Sequence, residues 1–420
     1  MFVRGRTLSY GLRENCFCRC FGKLSPSRLH ALVLGDGTPG AENQSLAFLN
    51  RLGVSSFTMV RLPPTPVFRV VPPLLHIYLL KLMGKFGNGH KILGFSAGWG
   101  HIFDKLPSEE LPNLIVACGR RTAPLSWALK YQMGRFNRES PCFNVQIQHP
   151  RTPSHYFDAI ITPAHDYSST RPLQPSRGEN VHTIPGSLHM VDEEWVNAGI
   201  EQHFNIETRG LESKSWEHRD RTLSIILGGP HRNCNWSNPD IQSLIEKVVE
   251  VVMRRDSRLQ QQTKINVVCS RRTPNELVSW LRLYIDSCNI SSITLWADEE
   301  RDGENIYQSA LSVSDAIIAT ADSVSMVSEC DAVCRVRNSN CLLHVACSRY
   351  LMGKHKRFYN GLKRRDRFVT LSLLFEWLNL RVLEKVDSPK AHFTESGSLE
   401  DAMASVGKKI RKELQRGEGV

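Results

Sequence analysis

The stretch AIIATADSVSMVSE, Ala316–Glu329, predicts a β-strand that passes directly into an α-helix. Its first six residues are small or apolar, which is typical of a strand buried in a parallel sheet. Asp322 ends this run, and Ser323 and Ser325 follow as residues that favour a helix start. Because the free N–H groups and the dipole at a helix start favour an anion, the junction predicts a phosphate site with Ser323 and Ser325 as donors.

Glu329 lies nearly two turns further along the same predicted helix. One hypothesis places its carboxylate on the ribose of a bound nucleotide, since a carboxylate accepts hydrogen bonds from hydroxyl groups. The alternative is structural: Asp322 or Ser323 only caps the helix, and Glu329 is a solvated helix residue. The sequence leaves both interpretations open.

Two more loops follow predicted strands in the same half of the chain. GGPHRNCNW contains Gly228 and Gly229, which permit a close backbone approach, and SRRTP places Arg271 and Arg272 before a predicted helix. A glycine pair or an arginine pair alone is usually turn or surface. Together the three strand ends predict a nucleotide or phosphate site with these residues: Gly229, Arg271, Arg272, Ser323, Ser325 and Glu329.

The amino-terminal half has its own glycine turn, GDGTPG, between a predicted strand and a helix. It has the GxGxxG spacing, but no acidic residue follows about twenty positions further on and the P-loop lysine is absent, so we expect neither a dinucleotide site nor an NTPase. Histidines also follow strands here, either as acid-base groups or as locally hydrogen-bonded loop residues. The loop residues of interest in this half are Asp36, Gly37, Gly40, Glu42, His149 and His165.

Strands and helices alternate along both halves, which predicts an α/β fold with two Rossmann-like doubly wound domains. Between them, residues 191–221 mix acids and bases and lack a strand pattern. The predicted organisation is a basic extension at 1–28, a first domain at 29–190, a linker at 191–221, a second domain at 222–390 and a basic helix at 391–420.

The formal net charge of +11 comes from 53 Lys and Arg against 42 Asp and Glu, and it is concentrated at the two ends of the chain. Residues 353–368 are strongly basic with interleaved aromatic side chains, which would suit lipid head groups or nucleic acid, or a solvated helix. No nucleic-acid-binding motif accompanies them, so we expect no nucleic-acid partner. The twelve cysteines fit no standard zinc spacing, and we expect no metal.

The amino-terminal residues and the most apolar segment of the chain indicate where in the cell the protein is expected to lie. Residues 1–28 are rich in Arg and poor in acids, which indicates either an organelle-targeting extension or a disordered tail. The segment PVFRVVPPLLHIYLLKLMG is interrupted by Arg69, Lys81 and Pro72–Pro73. It is therefore expected to be a buried or surface-lying helix, and any membrane contact is expected to be peripheral.

Several motifs occur together and in order: GDGTPGAENQS, VACGRRTA, NVQIQHPR, GSLH, SRRTP and TADSVSMVSE. In this order the chain resembles the plant mitochondrial-fission proteins of the elongated-mitochondria type and their bacterial relatives, over about residues 30–330. The family is similar to GT-B glycosyltransferases, whose two Rossmann-like domains face each other across a cleft. The resemblance implies a nucleotide-diphosphate sugar as ligand, with Ser323 and Ser325 at phosphate, Glu329 at ribose and Arg271 beside the donor. It also implies that the last helix crosses back to the first domain.

For function, the resemblance implies a fission factor at the cytosolic face of the mitochondrial outer membrane that recruits a dynamin-related GTPase. The alternatives are a nucleotide-sugar-dependent glycosyltransferase, and a cytoplasmic location. No HExxH or paired-carboxylate motif identifies catalytic residues. The segment 330–347 departs from the family pattern, which puts the completeness of a donor site in doubt.

Overall fold

The computed structural model describes residues 29–84, 92–106, 112–136, 142–166, 179–207, 221–259, 262–288, 292–297, 305–337, 341–364, 367–379 and 399–417. The predicted basic extension at 1–28 lies outside the described residues. The chain divides into two compact units: one is drawn from 1–162, 173–184 and 396–420, and the other from 163–172 and 185–395.

The first unit is built on a six-stranded sheet in the order β2-β1-β3-β4-β5-β6. The strands are β1 (His30–Gly35), β2 (Ser56–Arg61), β3 (Leu114–Cys118), β4 (Phe143–Ile147), β5 (Ala159–Pro163) and β6 (Val181–Ile184). The pairs β1–β2, β1–β3, β3–β4 and β4–β5 are parallel. Its helices are α1 (Pro39–Arg51), α2 (Pro73–Gly84), α3 (Trp99–Phe103) and α4 (Ala123–Phe136).

The second unit is built on a five-stranded sheet in the order β11-β10-β7-β8-β9, and every neighbouring pair is parallel. The strands are β7 (Arg221–Leu227), β8 (Thr263–Cys269), β9 (Ile293–Trp296), β10 (Ala316–Thr320) and β11 (Leu342–Ala346). The helices are α5 (Glu193–Glu207), α6 (Asn238–Leu259), α7 (Asn275–Cys288), α8 (Ile306–Val313), α9 (Val324–Val336), α10 (Gly353–Arg364) and α11 (Leu371–Asn379). This strand order is that of a doubly wound nucleotide-binding sheet.

Hydrophobic burial accounts for both sheets. Every residue of β1, β3, β4, β5, β7 and β10 is buried, as expected for strands covered on both faces. One face of α6 is buried as well, at Ile241, Ile245, Val248, Val249 and Val252. Ser237 precedes the first residue of this helix, and its hydroxyl and N–H both donate to the Asp240 carboxylate, at 2.7 and 2.9 Å.

The prediction of an α/β protein with two parallel sheets is confirmed, while the facing of the two domains across a cleft stays a prediction. The segment predicted as a linker contributes α5 to the second unit. There Gly199 lets α5 approach α8 closely, since a Cβ at this position would lie 2.2 Å from Ser312 Oγ. The divergent segment 330–347 contains the carboxyl-terminal part of α9 and the whole of β11. Within it, residues 338–340 lie outside the described residues.

The last helix, α12 (Leu399–Gly417), belongs to the first unit, in line with what the family resemblance implied. Lys409 Nζ on α12 donates to the backbone oxygen of Glu179, just before β6, at 2.9 Å. Among the helices that the structure describes, none combines the length and the apolar character needed to cross a membrane.

Two leucines on α7 provide a matched test of the second core. Leu281 is completely buried, whereas Leu283 is 72% exposed. We expect Leu281→Ala to lower the free energy of unfolding by about 2–5 kcal/mol, because it leaves a cavity under the helix. Leu283→Ala should change it by less than about 0.5 kcal/mol. Equal effects in a denaturant titration would contradict the described packing.

Candidate functional site

The site lies at the carboxyl edge of the second sheet, where the chain reverses its direction of winding. From the central strand β7 the chain proceeds to β8 and β9 on one side, and it returns through β10 and β11 on the other. The loops after β7 and β10 therefore meet at the switch point, which is where open parallel sheets bind ligands. The loop after β8 joins them at Arg272.

Asp322, directly after β10, connects these loops through its buried carboxylate. One oxygen, Oδ2, accepts from the Gly229 N–H at 3.0 Å and from the Arg272 guanidinium at 2.9 Å. The other, Oδ1, accepts from the Trp236 indole N–H at 3.2 Å. The carboxylate has no exposed surface, whereas the Arg272 side chain is 47% exposed. An internal carboxylate thus engages two of the residues that the sequence predicted for a phosphate site, Gly229 and Arg272.

Gly228 and Gly229 are required by this arrangement. A Cβ on Gly228 would lie 2.1 Å from Asp322 Oδ2, and one on Gly229 would lie 1.9 Å from the backbone oxygen of Arg272. The Gly228 N–H donates to Thr320 Oγ1 at 2.8 Å. The glycine pair does permit a close approach, as expected, but the groups that approach it are the protein's own. Whether Gly229 also contacts a nucleotide stays a prediction.

The two serines at the head of α9 already have partners in the protein. Ser323 is the N-cap, and its hydroxyl accepts from the Met326 N–H at 3.5 Å. Ser325 Oγ donates to Ser187 Oγ at 3.4 Å, in the loop that contains the GSLH motif. Both serines remain half-buried. They lie at the same edge as Arg271, which is exposed, so the structure brings the predicted phosphate-binding residues together without testing their ligand.

Glu329 is engaged with a neighbouring helix and is only half-buried. Its carboxylate accepts from the Tyr307 hydroxyl of α8 at 2.7 Å. Burial raises the pKa of Glu329 to about 7, against a smaller lowering by the Tyr307 hydrogen bond. Burial, together with the nearby carboxylate, also raises the pKa of Tyr307 well above its ordinary value. Glu329 is therefore more than a solvated helix residue. To bind a ribose, its carboxylate would have to share or give up the hydrogen bond from Tyr307.

A histidine cluster completes this edge, and sequence analysis missed its largest contributor, α10. The His231 and His355 rings lie 5.4 Å apart, and Arg357 Nε donates to the backbone oxygen of His165 at 3.0 Å. Lys354 and Asp166 pair at 3.6 Å. The order of the elements along the chain could have identified α10 as part of the site. It is the first α-helix after β11, so its amino-terminal end lies at the same sheet edge as the other loops.

The histidines of this cluster are held neutral. Burial is the main cause that lowers the pKa of both His165 and His355 to about 4, and Lys354 lowers both further. The Nδ1 atoms of both rings are buried without a hydrogen-bond partner among the described residues. Phe358 and Tyr359, predicted to interleave with basic residues for lipid or nucleic acid, are instead buried in the core.

The remaining predicted residues lie at the carboxyl edge of the first sheet. Asp36 Oδ1 accepts from the Thr38 N–H at 3.0 Å, and Oδ2 lies 3.5 Å from the Arg121 guanidinium. Gly37 has a φ of +81°, and its N–H donates to Glu42 Oε1 at 3.2 Å. Gly40 is in the first turn of α1, where a Cβ added to it would meet no atom of the described residues within 4 Å.

Glu42 and His149 both have local partners. Glu42 is buried and accepts from Arg61 at 2.8 to 3.1 Å. His149, after β4, accepts the Arg151 N–H on Nδ1 at 3.0 Å. Gln148 and Arg151, close to it in the same loop, have φ of 66° and 64°, an uncommon conformation for residues other than glycine. His165 belongs to the second unit, so the structure does not place it in one group with His149.

The Asp322 carboxylate is testable by a change that preserves its shape. Asp322→Asn should lower the free energy of unfolding by about 2–4 kcal/mol, because the amide group faces donors that need an acceptor and Arg272 loses its counter-ion. The control is Asp286→Asn, at an exposed carboxylate on α7. Urea unfolding measures both, and a variant as stable as the control would contradict the role of Asp322.

Glu329 should give the protein a characteristic pH dependence. Its pKa is raised from 4.5 to about 7 on folding, so between these values the unfolded chain loses the proton first and stability falls as pH rises. We expect Glu329→Gln to remove this fall and to be more stable than the natural protein at pH 8 by on the order of 1 kcal/mol. Denaturant titrations at pH 5 and pH 8 check this, with Glu276→Gln, at an exposed carboxylate on α7, as the control.

Known proteins resemble the chain in sequence over most of its length. The sequence profile described as mitochondrial fission ELM1 matches residues 39–393. Mitochondrial fission protein ELM1 of Arabidopsis thaliana is 23% identical over 360 residues, covering 71% of this chain and 75% of that protein. Uncharacterized protein RP120 of Rickettsia prowazekii is 28% identical over 243 residues, covering 54% of this chain and 63% of that protein.

Solved structures with a similar course of the chain are more distant. MurG of Acinetobacter baumannii has a TM-score of 0.39 at 12% identity, and UDP-GlcNAc 2-epimerase of Methanocaldococcus jannaschii has 0.43 at 11%. In both cases 91% of this chain and 99% of the other are covered. The sequence profile spans well over half of the chain, and the protein therefore belongs to the mitochondrial fission ELM1 family.

Proposed function

We propose that this protein is a mitochondrial fission factor that acts at the cytosolic face of the outer membrane, where it serves as an adaptor that recruits a dynamin-related GTPase. Membership of the fission family supports the fission role. The adaptor role is supported by one structural observation above all: the Asp322 carboxylate already holds the Gly229 amide and the Arg272 guanidinium. These are the groups that a nucleotide diphosphate was predicted to use.

The electrostatics of the switch point favour a scaffold over a diphosphate-binding enzyme. A phosphate on the Gly229 N–H would have to displace Asp322 Oδ2, which lies 3.0 Å away, or share the amide with it. Two anions at this separation repel each other, and the carboxylate is inaccessible to screening solvent. Because the donors at the switch point are bonded within the protein, they hold the loops there in a rigid arrangement. An adaptor needs such rigid surfaces to bind its partner.

The adaptor proposal predicts two measurable defects when the gene is deleted. Mitochondria should become elongated, and the fraction of the dynamin-related GTPase that sediments with mitochondria should fall several-fold, because its recruiting factor is missing. Re-expression of the full chain should restore both. A normal network in the deletion cells would sink the fission role, and elongated mitochondria with normal GTPase recruitment would sink the adaptor role alone.

A second candidate function, nucleotide-sugar-dependent glycosyl transfer, is favoured by the half-buried serines at the head of α9 with Arg271 exposed beside them. Calorimetry of the purified protein with UDP, GDP and their sugars tests it. If the site binds, Glu329→Ala should weaken binding about tenfold or more through the lost ribose contact, while Glu276→Ala, at an exposed position of α7, should not. Failure of every nucleotide to bind at millimolar concentration would eliminate this function.

A further inference from the structure

Helix α2 in the first unit is apolar on both its inward and its outward side. His76, Ile77 and Leu80 are buried against the unit. On the opposite side, Leu75 is 50% exposed, and Tyr78 and Leu82 are each 55% exposed. A helix that is apolar all round normally lies in a protein core or in contact with lipid. Because its outward side has no cover among the described residues, the second case fits this helix better.

The chain before the helix extends this exposed surface. Val67 and Val70, in and after a short 3-10 turn, are 69% and 82% exposed. Together with the outward residues of α2 they lie within residues 67–82, and we name this set the apolar face: Val67, Val70, Leu74, Leu75, Tyr78 and Leu82. Single exposed apolar residues are common, but a group of this size usually marks an interaction site.

Lys81 lies beside the apolar face within a group of aromatic rings. Its ammonium is 4.7 Å from the Tyr156 ring centroid, 5.1 Å from that of Trp127 and 5.7 Å from that of Tyr78. Nζ also donates to the Tyr156 hydroxyl at 3.2 Å. Tyr131, which is half exposed, stacks on Trp127 with centroids 5.5 Å apart. Lys, Trp and Tyr side chains with an apolar body and a polar tip are enriched at the interface between lipid and water.

The charge of the segment that carries the apolar face indicates which kind of partner it binds. From Asn43 to Phe103 the sequence contains six Lys or Arg and no Asp or Glu. The acid nearest to Tyr156 along the chain, Asp158, is paired with Lys130 of α4. A segment that carries an apolar surface together with cations and no carboxylate complements the anionic head groups of a lipid bilayer, whose surface potential attracts each Lys or Arg.

We propose that the apolar face docks on the surface of an anionic lipid bilayer, with Leu75, Tyr78 and Leu82 entering the boundary between head groups and acyl chains. Lys81 and Arg69 lie at the level of the phosphates. This proposal adds a lipid-binding surface to the proposed function. It rests on the proposed function only for which membrane the protein binds. Docking on lipid itself is a property of the purified protein.

Vesicle sedimentation tests the proposal on the purified full chain. We expect binding to phosphatidylcholine vesicles that contain phosphatidylserine, and much weaker binding to phosphatidylcholine alone. The triple variant Leu75→Ser, Tyr78→Ser and Leu82→Ser should lose about tenfold or more of this binding, because its apolar contact with the acyl chains is removed. Its thermal unfolding should match that of the natural protein, since all three side chains are exposed.

A second triple variant is the matched control. Met253→Ser, Leu283→Ser and Leu373→Ser change exposed apolar residues of the second unit, with exposed fractions of 46%, 72% and 38%. This variant should bind vesicles like the natural protein. Equal binding by both triple variants would overturn the proposal, and so would equal binding to neutral and anionic vesicles.

Two further results separate this inference from its rivals. If the apolar-face variant binds vesicles normally but changes from dimer to monomer in light scattering, the face joins two copies of the chain and the proposal fails. If the natural protein binds vesicles through the apolar face but gene deletion leaves mitochondria unchanged, the fission function fails and lipid docking stands.

Discussion

The buried carboxylate of Asp322 is the constraint on which the carboxyl edge of the second sheet depends. It follows β10 and accepts hydrogen bonds from the loops after β7 and β8. Since an uncompensated buried charge is very unfavourable, these loops have essentially one arrangement in which all donors and the acceptor are satisfied. A Cβ at 228 would meet the Asp322 carboxylate and one at 229 would meet the backbone of Arg272, so both positions at this strand end require glycine.

Much of the fold could be predicted because its signals are local. The apolar run at 316–321 identifies a buried strand, the serine at 323 caps the helix that follows, and the spacing of apolar residues in α6 identifies its inward face. Partners across the sequence could not be predicted in this way. Asp322 lies 93 residues from Gly229 and 50 from Arg272, and only the packing of whole strands brings such groups together.

The residues predicted for the candidate site do meet at one sheet edge, but their contacts were predicted incompletely. Sequence reasoning chose three strand ends, which the parallel topology unites, and it omitted the start of α10 with Lys354 and His355. It also treated every donor as available for a ligand. Donors and acceptors in a protein interior are first satisfied by each other, so the residue types near a switch point do not alone distinguish an enzyme from a scaffold that retains the same fold.

The placement of α12 has a consequence for how the chain matures. This helix packs in the first unit next to β6, so the first unit is assembled from segments that lie before and after most of the second unit along the chain. The second unit, whose sheet is contained within 221–346, has all its strands available earlier. During translation the strands of the first sheet are therefore complete before α12 is synthesised, and the surface that this helix covers stays exposed until then.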